Sequence, residues 1–186
     1  EAGNMLRGQD PVGTSWQRYV YDAAGRLVLV TNDAGTPIES YAYGASRQRL
    51  RTIAGSLTTY YAWGGSSVLC EYTENNGGAL TFKKSYIYAG SRLLSTQVWN
   101  GSVETNEFHH PDRLGTKLVT NNATNVNYEQ STLPFGTNLP GENVGSINTN
   151  QRFTSYDRST ATGGLDYAVN RSYSSGQGRF TTVDPI

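Results

Sequence analysis

The residue types that most often carry chemistry are sparse in this chain and stand in few combinations. His109-His110-Pro111-Asp112 is the run in which metal-ligating side chains crowd together. Neighbouring residues of a strand point to opposite faces, so the two imidazoles do not share one ion, and no metal site is expected. The single Cys70 ends the apolar run Val68-Leu69-Cys70. It cannot form an internal disulfide, and it reads as a small buried hydrophobe rather than a nucleophile. Neither a Ser-His-Asp order nor a phosphate-cradling glycine loop nor a heme motif is present, so no cofactor is expected. What the chain has in quantity is tyrosine, 13 of 186 residues. Such rings either stack on a sugar from an exposed ribbon or pack as structure, and packing is the expectation here.

The rings are placed by a repeat. An aromatic-x-aromatic triplet recurs as Tyr19-Val20-Tyr21, Tyr41-Ala42-Tyr43, Tyr61-Ala62-Trp63, Tyr86-Ile87-Tyr88 and, more weakly, Phe108-His109-His110, with second members 22, 20, 25 and 22 residues apart. A repeat of this length is one supersecondary unit that cannot bury its apolar face alone. After each triplet comes a small or polar turn and an aliphatic return strand, as in Gly25-Arg26-Leu27 and Arg92-Leu93-Leu94. The return strands reach further turn signals at 32–35, 75–78, 100–101 and 121–122. Asn100-Gly101 is read as the strongest type I′ turn, with Leu94 to Trp99 and Val103 to Phe108 as its hairpin. Alternation along a strand puts both rings of a triplet on one face, which predicts tyrosine stacked on tyrosine between neighbouring units.

Composition agrees. Leu, Ile, Val and Phe make up just under a fifth of the chain, while 15 basic residues balance 15 acidic ones. A chain held unfolded is usually kept open by like charges, and here there are none in excess. Tyrosine and threonine favour strands over helices. The balanced charge argues against a nucleic-acid partner, and the longest aliphatic run, Leu27 to Val30, is far too short to span a bilayer. Three N-x-S/T matches, at Asn100, Asn122 and Asn170, fix no compartment. Opening on Glu-Ala-Gly-Asn and stopping at Asp-Pro-Ile, the chain is expected to be a piece of something longer.

The stretch Arg18-Tyr19-Val20-Tyr21-Asp22-Ala23-Ala24-Gly25-Arg26-Leu27 resembles the YD repeat of bacterial RHS proteins. Later units carry Gly44, Gly64 and Ala89 where the repeat has its aspartate. His109 to Thr116, then Leu133-Pro134-Phe135-Gly136, Phe153 to Asp157, Gly164 to Ala168, Arg171-Ser172-Tyr173 and Gly178 to Pro185 are similar, in order and spacing, to the RHS-repeat-associated core domain. The resemblance covers about residues 15–186.

It implies an all-β fold of repeated antiparallel hairpins in a ribbon or spiral, with a loop-rich C-terminal core that plugs it. Residues 1–130 would hold about five units of about 22 residues, 131–150 a loop, exposed from Asn138 onward, and 151–186 the terminal block. By the same resemblance, the chain would be a segment of a secreted or cell-surface bacterial β-shell that encloses a C-terminal toxin, as in polymorphic toxins and the C-component of insecticidal toxin complexes. Its partners would be the rest of such a chain or further copies of itself, because open strand edges invite more strands. A self-assembling or adhesive extracellular filament is the competing structural reading. No turnover activity is expected. Some members cut themselves beyond the D-P acid, a chemistry requiring two carboxyl groups that share a proton. Asp184 matches that acid and Arg171 an arginine near it, while Ser172 and Ser174 stand where many members have the second acid. Asp166, Asp157 or Asp112 would then have to lie beside Asp184. The competing reading is a charged network of Asp157, Arg158, Asp166, Arg171 and Arg179 that orders the seal.

Overall fold

The structure is a computed structural model and describes residues 3–121, 126–141, 144–145 and 149–184. Asn122, residues 142–143 and 146–148, and the Pro185-Ile186 end fall outside the described residues.

Alternation and turns produce a meander. β1 (Arg7–Gln9), β2 (Trp16–Tyr21), β3 (Leu27–Asn32), β4 (Pro37–Tyr43), β5 (Arg49–Ala54), β6 (Leu57–Gly64) and β7 (Ser67–Asn75) run in sequence order. β8 (Thr81–Ala89), β9 (Arg92–Trp99), β10 (Glu104–Asp112), β11 (Gly115–Asn121), β12 (Val126–Glu129) and β13 (Val144–Gly145) complete one 13-stranded antiparallel sheet. Among the described residues there is no helix. β13 and a Thr132–Asn138 bridge fall within the stretch expected to be loop. A second sheet of four strands follows: β14 (Asp157–Arg158), β15 (Leu165–Ala168), β16 (Arg171–Ser174) and β17 (Arg179–Phe180).

The repeat has a backbone signature that the aromatic pattern only hints at. In each of the first four units the register slips just before the second triplet position, so one residue of the return strand is left opposite nothing. Tyr21 faces Leu27 and leaves Val28 extra, Tyr43 faces Arg49 and leaves Leu50, Trp63 faces Val68 and leaves Leu69, and Tyr88 faces Leu93 and leaves Leu94. Such bulges increase local twist, and their repetition bends a strip too wide to stay flat.

The aspartate position differs between the units. In the first unit Asp22 ties its own turn, accepting the N–H groups of Ala24 and Arg26 at 2.9 Å and pairing with the Arg26 side chain at 2.7 Å. Where glycine replaces it, the bulged leucine folds over the gap: a Cβ added to Gly64 would lie 2.8 Å from Leu69, and one added to Gly44 3.4 Å from Leu50.

Two expectations are corrected here. In the fifth unit the slip lies before Pro111, not His110, so Glu107, His109 and Pro111 align with Lys84, Tyr86 and Tyr88. His109 is buried, while Phe108 and His110 are exposed. The Asn100-Gly101 hairpin pairs Trp99 with Glu104, but Asn100 spends its side-chain oxygen on the N–H groups of Ser102 and Val103. Two consecutive left-handed residues, the type I′ requirement, are found instead in the turn at Asn76-Gly77, at φ 52° and 71°.

The small sheet lies on the ring-bearing face of the large one. Their shared apolar core is Tyr19, Leu27, Val30 and Leu165, with Met5, Tyr21, Ile38 and Tyr41 packed against it. Met5 donates its N–H to Thr181 at 2.8 Å, and Gln17 donates to the Thr162 carbonyl at 3.0 Å.

Candidate functional site

The rings do not form the expected ladder. Among the described residues, neighbouring triplets make no stacked pair; instead, in the first three units, the second ring donates to a backbone carbonyl upstream of it. Tyr21 donates to Met5 O at 2.8 Å, Tyr43 to Leu27 O at 2.7 Å, and Trp63 Nε1 to Arg49 O at 2.8 Å. Leu27 and Arg49 are the first residues of their return strands, so the Tyr43 and Trp63 hooks cross to the turn region of the previous hairpin. On the same edge Arg26 donates to Gly44 O at 3.1 Å and lies over the Tyr43 ring. A directional hydrogen bond, O–H···O from the tyrosines and N–H···O from Trp63, fixes spacing better than a ring contact does.

The first rings of the triplets serve a different end. Tyr41 donates to Glu39, Tyr86 to Glu71, and Tyr61 shares a hydrogen bond with Thr52. Burial pushes their hydroxyls up in pKa, as it does those of Tyr19, Tyr21 and Tyr88, which reach about 12. They stay neutral donors at all physiological pH values.

Between these rings and the small sheet sits a group of buried charges centred on Arg49. Its guanidinium lies 4.7 Å from the Tyr61 ring and 4.2 Å from the Tyr167 ring, and it pairs with Asp157. The backbone N–H of Arg49 donates to the Tyr167 hydroxyl at 2.9 Å. Tyr167 in turn meets the Tyr43 and Trp63 rings edge-on or tilted, with centroids 6.4 and 6.5 Å away. Ser159 donates to Glu39, and Lys84 pairs with Glu71 at 3.5 Å. Burial raises the Glu39 and Glu71 carboxyls, partly opposed by Ser159 and Tyr41 at the first and by Lys84 at the second. A cavity of about 220 Å³ opens beside the Arg49–Asp157 pair, and one of about 130 Å³ adjoins it.

The outer side of the small sheet gathers the terminal motifs. Arg158 holds Asp166 through two 2.7 Å hydrogen bonds and donates to Gly136 O at 3.1 Å. Tyr173 donates to Phe135 O at 3.0 Å, and its ring is bracketed by Phe153, Tyr156 and Phe180 at 5.3 to 6.3 Å. Gly115 explains the glycine of the His109–Thr116 motif: at φ 118°, an added Cβ would strike Arg152 O at 2.4 Å. The separated sequence blocks thus converge on one module.

The structure does not bring Asp184, Arg171 and Asp166 into one cluster. Asp184 is 81% exposed and pairs with Arg171 at 3.5 Å, while Arg171 lies over the Phe180 ring. Asp166 is fully buried and committed to Arg158, with its pKa raised by burial. Asp157 belongs to Arg49. The charged groups therefore form separate pairs rather than one network.

Sequence reasoning missed Arg49, Glu39, Glu71 and Lys84. A signal existed: Gln17-x-Tyr19-x-Tyr21, Glu39-x-Tyr41-x-Tyr43 and Lys84-x-Tyr86-x-Tyr88 extend the triplet by one polar residue on the same face. Had that face been known to be covered, buried charge would have followed.

His109 occupies the ring position of the fifth unit, with Nε2 sharing a hydrogen bond with Thr96 at 3.1 Å and Nδ1 unpartnered. Burial, assisted by Lys84 and His110, lowers its pKa to about 4. The unfolded chain then binds a proton at higher pH than the folded one, so stability falls as pH drops from about 6.5 through 4. Replacing it isolates this effect from Glu39, Glu71 and Asp166, whose raised values act in the opposite sense. Relative to His109→Gln, the wild-type protein is expected to lose about 3 kcal/mol between pH 7 and pH 4 in denaturant titrations. Parallel curves for the two proteins would refute this.

Comparison with known proteins places the architecture. Residues 1–37 match the family model described as RHS Repeat. No curated protein matches the sequence. The fold is that of part of the chain in the crystal structure of TcdB2-TccC3-Cdc42, at a TM-score of 0.69 and 17% identity over 91% of this chain and 9% of that one. The crystal structure of TcdB2-TccC3 matches at 0.67 and 14%, and that of TcdB2-TccC3 without hypervariable C-terminal region at 0.67 and 15%, with the same coverages. This chain therefore spans about a tenth of the length of those proteins.

Proposed function

We propose that this chain, an RHS-repeat protein by its first 37 residues and by its fold, is a wall segment of a secreted bacterial β-shell that encloses the polypeptide following Asp184. The observation carrying this reading is that the terminal module lies on the ring-bearing face of the strip, held there by Arg49–Asp157, Glu39–Ser159 and the Tyr167 contacts. A face carrying paired buried charges and hydrogen-bonded rings is one that the fold keeps covered, because such groups are costly to bury unless each finds a partner, and a covered face is what the inner side of a shell requires. β1 stands at one margin of the sheet, where further strands of the shell would add.

The module would act as a stopper, its folded motifs fixing the point from which the enclosed chain departs. No turnover chemistry is required for that role. A test uses the intact protein with its natural continuation. The polypeptide beyond Asp184 is expected to survive added protease in the wild type and to be digested at least tenfold faster when Arg49→Ala loosens the module, since cleavage tracks the open population. Equal digestion in both proteins would count against enclosure.

A further inference from the structure

The 220 Å³ cavity is too small for a drug-sized ligand, whose pockets start at about 300 Å³, yet larger than the roughly 150 Å³ that accepts benzene in an apolar core. It is the size of one aromatic side chain. Its walls are Tyr61, Trp63, Tyr86 and Tyr88 from the strip and Tyr167 and Val169 from the module.

Two further observations indicate that it is built to receive something. The Arg49–Asp157 pair at its side is made through a single contact, leaving Arg49 Nε and Asp157 Oδ1 buried without partners, one a donor and one an acceptor. That combination suits a planar amide, which offers both. The second is strain. Asn170 donates its N–H to Ala168 O at 2.7 Å around Val169, whose φ is 58°. Val169 is the first residue of the two-residue turn joining β15 and β16, a left-handed position that Gly or Asn usually takes, so a β-branched residue there is an outlier. Here the strained side chain forms part of the cavity wall.

The geometry points to a side-chain receptor in which one aromatic residue of an extended polypeptide inserts its ring between the strip and the module while its backbone amide meets Arg49 and Asp157. This rests on the reading of the chain as a shell that holds polypeptide, and names which feature of that polypeptide the seam recognises. Asp184 pairs with Arg171, which lies two residues from the cavity-lining Val169 on the same hairpin.

The probe is N-acetyl-tryptophanamide, titrated into the chain by NMR or calorimetry beside N-acetyl-alaninamide and free indole. Saturable binding is expected for the first, at least about tenfold tighter than for the amide lacking a ring or the ring lacking an amide. Ser91→Trp, at an exposed turn position lining the cavity, should fill it and weaken binding about tenfold at unchanged melting temperature. Val169→Gly should raise the melting temperature by relieving strain and also weaken binding. Hydrogen exchange of the Arg49 N–H, bonded to Tyr167, is read in the same samples. Protection there with no binding, or equal binding by all three probes, overturns the receptor. Absent protection overturns the docked module itself, and the receptor with it. Binding unaffected by both substitutions places the ligand elsewhere and also overturns the proposal.

Discussion

Arg49→Ala is expected to cost about 3–5 kcal/mol, the range found when one partner of a buried ion pair is removed and the other stays behind uncompensated. For a chain of this size that is a fall of about 6–20 °C in melting temperature. The reasoning turns on what remains. Asp157 is left in an apolar and phenolic setting with one oxygen already unpartnered. Glu39 and Glu71, whose carboxyls already sit above the ordinary range, lose a nearby positive charge that lowers both. Tyr61 and Tyr167 lose the cation between them. Removing Asp157 as well, in Arg49→Leu/Asp157→Leu, should restore most of the loss, because a matched apolar replacement avoids the desolvation that both charges suffer. Thermal or denaturant unfolding measures each variant. A loss below about 1 kcal/mol for the single substitution would show that Arg49 is solvated and that the module is not seated as described.

The strip was legible in the sequence because its causes are local. Two-residue alternation and turn residues act over a few positions, and they put Tyr19, Tyr21, Tyr86 and Tyr88 on a common face without reference to the rest of the fold. The bulge was not legible, since it is a property of pairing between strands. A leucine that looks like an ordinary member of an aliphatic strand, Leu50 or Leu69, is ejected from register by the ring opposite. The same effect hid the phase of the fifth unit, where Pro111 rather than His110 occupies the slip. Ring-on-ring stacking was the natural inference from spacing. It failed because phenol hydroxyls in a covered face seek acceptors, which for Tyr21 and Tyr43 are upstream backbone carbonyls and for Tyr41 and Tyr86 are carboxylates. The terminal module is a different case. Phe135, Phe153, Arg158, Asp166 and Tyr173 are scattered over 39 positions with no periodicity to join them, and only the resemblance grouped them. Arg49 was beyond both routes: its role exists only once Asp157 and Tyr167, more than 100 residues away, are laid over it.

Asp166 and Asp184, grouped by sequence as one chemical unit, should part company when each is changed to asparagine. Asp166→Asn is expected to cost about 3 kcal/mol, because a fully buried carboxylate gives up one of two short bonds to Arg158 and leaves that guanidinium, itself 11% exposed, without its counter-charge. Arg158 also carries the Gly136 carbonyl, so loosening it should expose the 133–136 turn and the Tyr173 ring cluster together, a loss visible in near-ultraviolet circular dichroism. Asp184→Asn should change stability by about half a kcal/mol or less, since its pair with Arg171 is long and open to solvent. Equal losses would contradict the separation of the two sites. The contrast also decides how any self-cleavage should be read. With the natural continuation attached, a cut that disappears in Asp184→Asn at unchanged melting temperature assigns chemistry to that exposed acid, whereas one that disappears only in Asp166→Asn tracks loss of the module. An exposed acid beside one arginine lacks the close second carboxyl that sharing a proton demands. A cut dependent on Asp184 would therefore need that second group to come from the chain beyond it.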